Sequence, residues 1–191
     1  MKAKPLTEQA HAKIRALIFP GDIVIDATVG NGHDSLFMAE LVGEQGRVLA
    51  VDIQQRAIDS AKRRLEQAGL SQRVAWFCAG HENLSQLVPL DFHGRIKAIM
   101  FNLGYLPGAD KSIRTRPDTT LGALQQAFGL LMQGGVLSVL AYTGHSGGKQ
   151  ETEAVYRWSE QLQDSKREII MPASLHGTAP VWLCLYKDNM S

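Results

Sequence analysis

The chain has 191 residues, 45% of them hydrophobic and 20% charged, with a formal net charge of +1. That length suits one domain with a well-buried core, and the composition excludes a disordered chain. Near-neutral charge excludes nucleic-acid binding through a global field, so such a partner would need a local basic patch. The longest apolar stretches, such as residues 136–142, are strand-sized and too short for a membrane span. Residues 1–5 carry no apolar signal core, and Cys78 and Cys184 read as buried reduced thiols, so a cytoplasmic location is expected.

In chain order, residues 5–19 read as a leading helix within segment 1–20, with Ala10, Ile14, Leu17 and Ile18 on one face and Pro20-Gly21 as the stop. A β-branched strand at 23–27, a helix at 34–41 and a strand at 47–51 follow. Residues 54–68 place Ile58, Ala61, Leu65 and Ala68 on one helical stripe, closed by Gly69; Lys62-Arg63-Arg64 is expected on its wet face. Strands are predicted at 74–78, 96–101 and 135–141. Between the last two lies a helix carrying Leu121, Leu124, Phe128 and Leu131, with Asp118 or Thr119 as its cap. A helix at 149–162 uses Ala154, Val155, Trp158 and Leu162. Strands at 167–171 and 181–186 end the chain as a hairpin around a loop at 172–180. Alternating strands and helices predict one α/β domain over 1–191, with a mostly parallel sheet covered on both faces.

Ligands in such sheets bind beyond the carboxyl ends of the strands. After the first strand comes Asp26-Ala27-Thr28-Val29-Gly30-Asn31-Gly32-His33-Asp34. Gly30 and Gly32 permit a tight turn and close backbone approach, and the helix behind them offers free N–H groups to a carboxylate. A dinucleotide fingerprint needs a third glycine where Ser35 stands. Asp52 closes the second strand beside Ile53 and Gln54, and its two oxygens suit the two hydroxyls of a ribose, unless it only caps the next helix. His81, Glu82 and Asn83 follow the third strand at the place of an adenine edge. Asp26 and Asp34 disfavour a diphosphate and suit a ligand that is cationic as well as carboxylate-bearing. No metal site is expected.

The fourth strand runs into Phe101-Asn102-Leu103-Gly104-Tyr105-Leu106-Pro107-Gly108. Asn102 with Tyr105 resembles the Asn-Pro-Pro-Tyr motif of amino-directed methyltransferases, although Leu103 and Gly104 replace the prolines. With residues 26–34, residues 101–111 and Tyr-x-Gly-His-x-Gly-Gly at 142–148, the chain resembles a family labelled putative rRNA methylases, over about residues 21–186. The resemblance implies a Rossmann-like class I methyltransferase fold of seven strands with an antiparallel last strand. It implies S-adenosylmethionine (SAM) as cofactor, bound by the residues above together with Asn102 and Gly104. It also implies action on the exocyclic amine of 5-aminomethyl-2-thiouridine in the anticodon loop of tRNA, and a homodimer. Asn102 and the Leu103 carbonyl would then position the amine and Tyr105 would stack on the base, with His145 serving the proton or the base. Lys111, Arg114 and Arg116, in loop 106–118, would grip phosphates. A methyltransferase of rRNA or of a small amine, and a non-catalytic nucleotide-binding module, remain open alternatives.

Overall fold

The structure is a computed structural model that describes residues 4–106, 108, 113–170 and 180–188. Among them the order is α1 (Leu6–Arg15), β1 (Ile23–Asp26), α2 (His33–Val42), β2 (Arg47–Asp52), α3 (Gln55–Gln67), β3 (Val74–Cys78), α4 (Leu84–Leu87), β4 (Ile96–Leu103), α5 (Pro117–Leu130), β5 (Leu131–Ala141), α6 (Gly148–Gln161), β6 (Ser165–Ile170) and β7 (Val181–Lys187). The seven strands form one sheet in the order β3-β2-β1-β4-β5-β7-β6. The pairs from β3 through β5 are parallel, while β7 runs antiparallel to both β5 and β6.

Register explains why the central strands read as unbroken apolar runs. Val24 pairs with Val48 and Ala98, and Ala98 pairs with Val136; this row packs under α1 and α2 with Ile14, Phe37 and Met38. Ile25 pairs with Leu49 and Ile99, and Ile99 with Leu137; this row faces the opposite way, against Leu84, Leu124, Ala127 and Val155 of α4, α5 and α6. Successive side chains alternate faces, so a strand buried on both sides has no polar face.

Several boundaries differ from the sequence expectation. The leading helix ends at Arg15, because the N–H groups of Leu17 and Ile18 both turn back to the Ile14 carbonyl. Asp22 then accepts the Phe19 N–H at 2.8 Å, which fixes the corner before β1. Helix α5 starts at Pro117 with Arg116 as its N-cap, not Asp118 or Thr119. Proline needs no amide partner at a first helical position, and the Asp118 carboxylate binds the Arg116 guanidinium instead. Leu131 opens β5 rather than ending the helix. The short α4 has too few residues to show a helical period in the sequence. Cys184 is buried, but Cys78 is exposed, since β3 is an edge strand with neighbours on one side only. Residues 171–179, which hold most of the expected hairpin loop, lie outside the described set. No helix among the described residues is long and apolar enough to cross a membrane.

Candidate active site

The sheet ends that matter are those of β1, β2 and β4, three adjacent parallel strands whose carboxyl ends open on one rim. Asp26, at the end of β1, is wholly buried. It accepts the Thr28 N–H at 3.2 Å and the Ser35 hydroxyl at 2.5 Å, so it braces the loop from beneath instead of reaching out of it. Burial first, then the charge of Asp34 and that of Asp52, push its carboxyl up to about 7. Ser35, where a dinucleotide fold would have its third glycine, is the donor to that carboxyl.

Gly30 and Gly32 both have positive φ, +51° and +76°, as a tight turn demands. A Cβ on Gly32 would stand 2.6 Å from the Ala61 Cβ. Gly32 thus permits the close approach of α3. Arg64 does not merely face water: its Nε donates to the Asn31 carbonyl at 2.8 Å, tying α3 to the same loop. Among the described residues, its neighbours Lys62 and Arg63 make no such contact.

Asp52 receives one backbone N–H on each oxygen, from Gly30 at 2.9 Å and from Gln54 at 2.9 Å. It joins the loop after β1 to the turn after β2. A carboxylate has about four lone-pair directions, so each oxygen keeps capacity for a further donor. Ile53 next to it is 64% exposed, an apolar surface on the rim. His81 lies partly buried against the Phe101 ring, with centroids 5.7 Å apart, and burial lowers its pKa. Asn83 turns back to the Gly80 carbonyl at 3.3 Å, and the Glu82 carbonyl accepts from Gln126 of α5 at 2.6 Å. These last contacts are local bracing.

Asn102 and Thr28 link β4 to β1, since the Asn102 N–H donates to Thr28 Oγ1 at 2.7 Å. The Asn102 side chain stands 2.6 Å from Asp34 Oδ2 through Nδ2. The other Asp34 oxygen meets His11 of α1, a residue the sequence reading did not include. No local signal marks His11, because its partner lies 23 residues away. The Leu103 carbonyl already accepts the Tyr142 N–H at 3.0 Å, and the Gly104 carbonyl accepts from Thr115 at 2.8 Å.

Tyr105 forms a one-residue antiparallel bridge with Arg114, which holds the two sides of the expected substrate loop together next to β4. The Tyr105 ring meets His145 edge-on, with centroids 6.0 Å apart. His145 Nδ1 contacts the Ser146 carbonyl at 3.1 Å, while its Nε2 is buried with no hydrogen-bond partner among the described residues. If Nδ1 carries the hydrogen, Nε2 keeps a lone pair. A Cβ on Gly148 would stand 2.9 Å from that Nε2, so the second glycine of the turn makes room for the ring. Glu151 follows in α6, 1% exposed, and accepts from the hydroxyls of Thr115 and Thr120.

Of the basic loop, Arg114 is exposed, whereas Arg116 makes a two-bond pair with Asp118 at 2.7 and 3.2 Å. The neighbouring guanidinium holds the Asp118 carboxyl below the usual carboxylate range. Arg116 is thus not a free cation. Lys111 lies outside the described residues.

The comparisons agree with this architecture. A crystal structure described as a putative rRNA-methylase from Clostridium thermocellum superposes with a TM-score of 0.91 at 37% identity, over 98% of this chain and 100% of that one. A crystal structure described as a putative methyltransferase from Streptococcus mutans, in complex with SAH, gives a TM-score of 0.84 at 30% identity, over 98% and 99%. Among curated proteins, the chloroplastic tRNA (mnm(5)s(2)U34)-methyltransferase of Arabidopsis thaliana is 44% identical over 83% of this chain, which spans only 60% of that relative's length. The small-subunit rRNA methyltransferase H of Dictyoglomus thermophilum is 33% identical, over 45% of this chain and 28% of that protein. The profile of the family described as "Putative rRNA methylase" matches residues 48–186. With the seven-stranded sheet and its antiparallel β7, these findings establish that the chain belongs to that family and has the fold of SAM-dependent methyltransferases.

Proposed function

We propose that this chain is a SAM-dependent RNA methyltransferase that methylates the exocyclic amine of 5-aminomethyl-2-thiouridine at the wobble position of tRNA. The carrying observation is Asn102: its amide nitrogen is committed to Asp34, which leaves the carbonyl oxygen as the end available to an incoming N–H. The tRNA methyltransferase relative supports the choice of substrate.

The rim suits an adenosyl ligand. Asp52 has spare acceptor capacity for two ribose hydroxyls, Ile53 offers an apolar surface, and the start of α2 presents free N–H groups to a carboxylate. Bound SAM would supply a methyl group on a sulfonium, a leaving group that needs no acid. What the chain itself contributes is alignment, which in favourable cases is worth roughly 7–11 kcal/mol of barrier.

Asn102 Oδ1 accepts one N–H of the neutral amine, and the Leu103 carbonyl, with one lone pair taken by Tyr142, accepts the other through its second. These bonds point the nitrogen lone pair along the line of displacement. Tyr105 lies against the base. His145, beside Gly104, serves the proton that the nitrogen releases once it has gained the methyl carbon. Arg114, Arg116 and Lys111 meet phosphates around the unpaired base.

Mass spectrometry of wobble nucleosides from a strain lacking the gene tests the reading. The expected result is accumulation of 5-aminomethyl-2-thiouridine, which the purified chain then methylates with SAM. Normal wobble nucleosides, or a methyl group missing from rRNA instead, would overturn it.

A further inference from the structure

The leading helix reaches the rim through one side chain. His11 Nε2 stands 2.6 Å from Asp34 Oδ1, and Asp34 Oδ2 stands 2.6 Å from Asn102 Nδ2. The His11 ring is stacked on Phe37, centroids 4.0 Å apart and planes within 1°, so its orientation is set. The side chains of His11 and Asp34 are 28% and 12% exposed, which shields their bond from competing water.

A carboxylate offers acceptors alone, so both neighbours must turn a hydrogen toward Asp34: His11 its Nε2–H and Asn102 its NH2. The two ends of an asparagine amide have nearly the same shape and opposite chemistry. Without a fixed acceptor, Asn102 can turn over and face the substrate amine donor to donor. Asp34 blocks that inversion only while its own carboxylate is kept from rotating, and the bond to His11 on the far oxygen does this.

We infer that His11 is a positioning residue of the transfer step: acting through Asp34, it holds the Asn102 amide with its oxygen toward the target nitrogen. The inference rests on the assignment of Asn102 to that nitrogen. It makes α1 part of the catalytic machinery and not only a cover for the sheet.

The bland reading is that His11 merely packs α1 on Phe37, and two substitutions separate the two. His11→Phe keeps an aromatic ring on Phe37 and removes the donor. His11→Gln places an amide N–H near the position of Nε2. The assay uses the whole chain, SAM, and tRNA from a strain lacking the gene, with SAM affinity measured by calorimetry and folding by thermal melts.

For His11→Phe the expected kcat falls about tenfold, from a misplaced amide. KM for tRNA and Kd for SAM stay within about twofold and the chain stays folded at the assay temperature, while His11→Gln recovers most of the rate. An unchanged kcat in His11→Phe would overturn the inference, as would a loss that tracks the melting midpoint, or His11→Gln as slow as His11→Phe. Asn102→Ala, run in parallel, separates the layers. Full activity there removes the amine assignment and the relay with it, whereas an inactive Asn102→Ala beside an unimpaired His11→Phe removes the relay alone.

Discussion

Thr115 donates its hydroxyl to Glu151 across 2.7 Å, joining the loop that leaves β4 to the first turn of α6. Thr120 of α5 fills the other oxygen at 2.6 Å, so one buried carboxylate gathers three segments beside the site. Replacing Glu151 with Ala leaves the buried Thr120 hydroxyl and the partly buried Thr115 hydroxyl without their acceptor and should cost about 1–3 kcal/mol of stability. Glu151→Gln keeps an acceptor and should lose less. Urea unfolding measures both, and an unperturbed Glu151→Ala would mean that the loop is held by something else.

Asn102→Ala should lower methyl transfer by at least about a hundredfold while SAM affinity stays within a few-fold, since the amide orients the acceptor nitrogen. Asn102→Asp should be as inactive, because it sets a second carboxylate against Asp34 in place of a donor. Parallel rate and calorimetric measurements check the pair. Loss of rate and of SAM affinity in equal measure would place Asn102 with the cofactor alone.

Asp52→Ala removes the acceptor that Gly30 and Gln54 share and the one proposed for the ribose. SAM affinity should fall by about 1–3 kcal/mol. Calorimetry at constant pH reads this directly, and unchanged affinity would move the ribose elsewhere on the rim.

Asp26 gives a pH signature. Its carboxyl ionises near 3.8 in an unfolded chain and is pushed up to about 7 in the fold, where burial dominates. Between those values the folded chain retains a proton that the unfolded chain has lost. This contribution to stability is therefore complete below the lower value and is lost as pH rises toward the upper one, by up to about 4 kcal/mol. In Asp26→Asn that slope should be gone, while the Ser35 hydroxyl keeps an acceptor. Comparing urea midpoints of the two proteins at about pH 5 and about pH 8 isolates the effect. A gap between them that does not change with pH would assign the titration to another group.

The basic loop should reveal itself in salt dependence. Arg114→Ala should reduce the log–log salt slope of tRNA binding by about one. Arg116→Ala should reduce it less, because Asp118 already neutralises that guanidinium, and Asp118→Ala should strengthen binding. Filter binding over a salt series distinguishes the three. A slope untouched by Arg114→Ala would end the phosphate assignment for that residue.

Much of the fold was legible because the signals are periodic or local. Doubly buried strands must be apolar throughout, and α3 carries its stripe at helical spacing; Ile58, Ala61 and Leu65 are buried as that spacing requires, whereas Ala68, expected on the same stripe, is the exposed C-cap. Gly30 with its positive φ and Asp52 at a strand end were readable from type and position. Boundaries set by competition were not. Asp118 looked like a cap until Arg116 took its carboxylate, and Leu131 had helical spacing but opens a strand paired with Ile96.

By itself the sequence determined the α/β class and the order of the strands and longer helices, because each depends on residues within a few positions of one another. Only the tertiary structure decided that Asp26 is a buried brace, that Gly32 makes room for Ala61, and that His11 and Asn102 share Asp34. Those facts are distances between residues far apart in the chain. A side chain's hydrogen-bond role is set by which donor or acceptor the fold brings opposite it, and no local pattern records that partner.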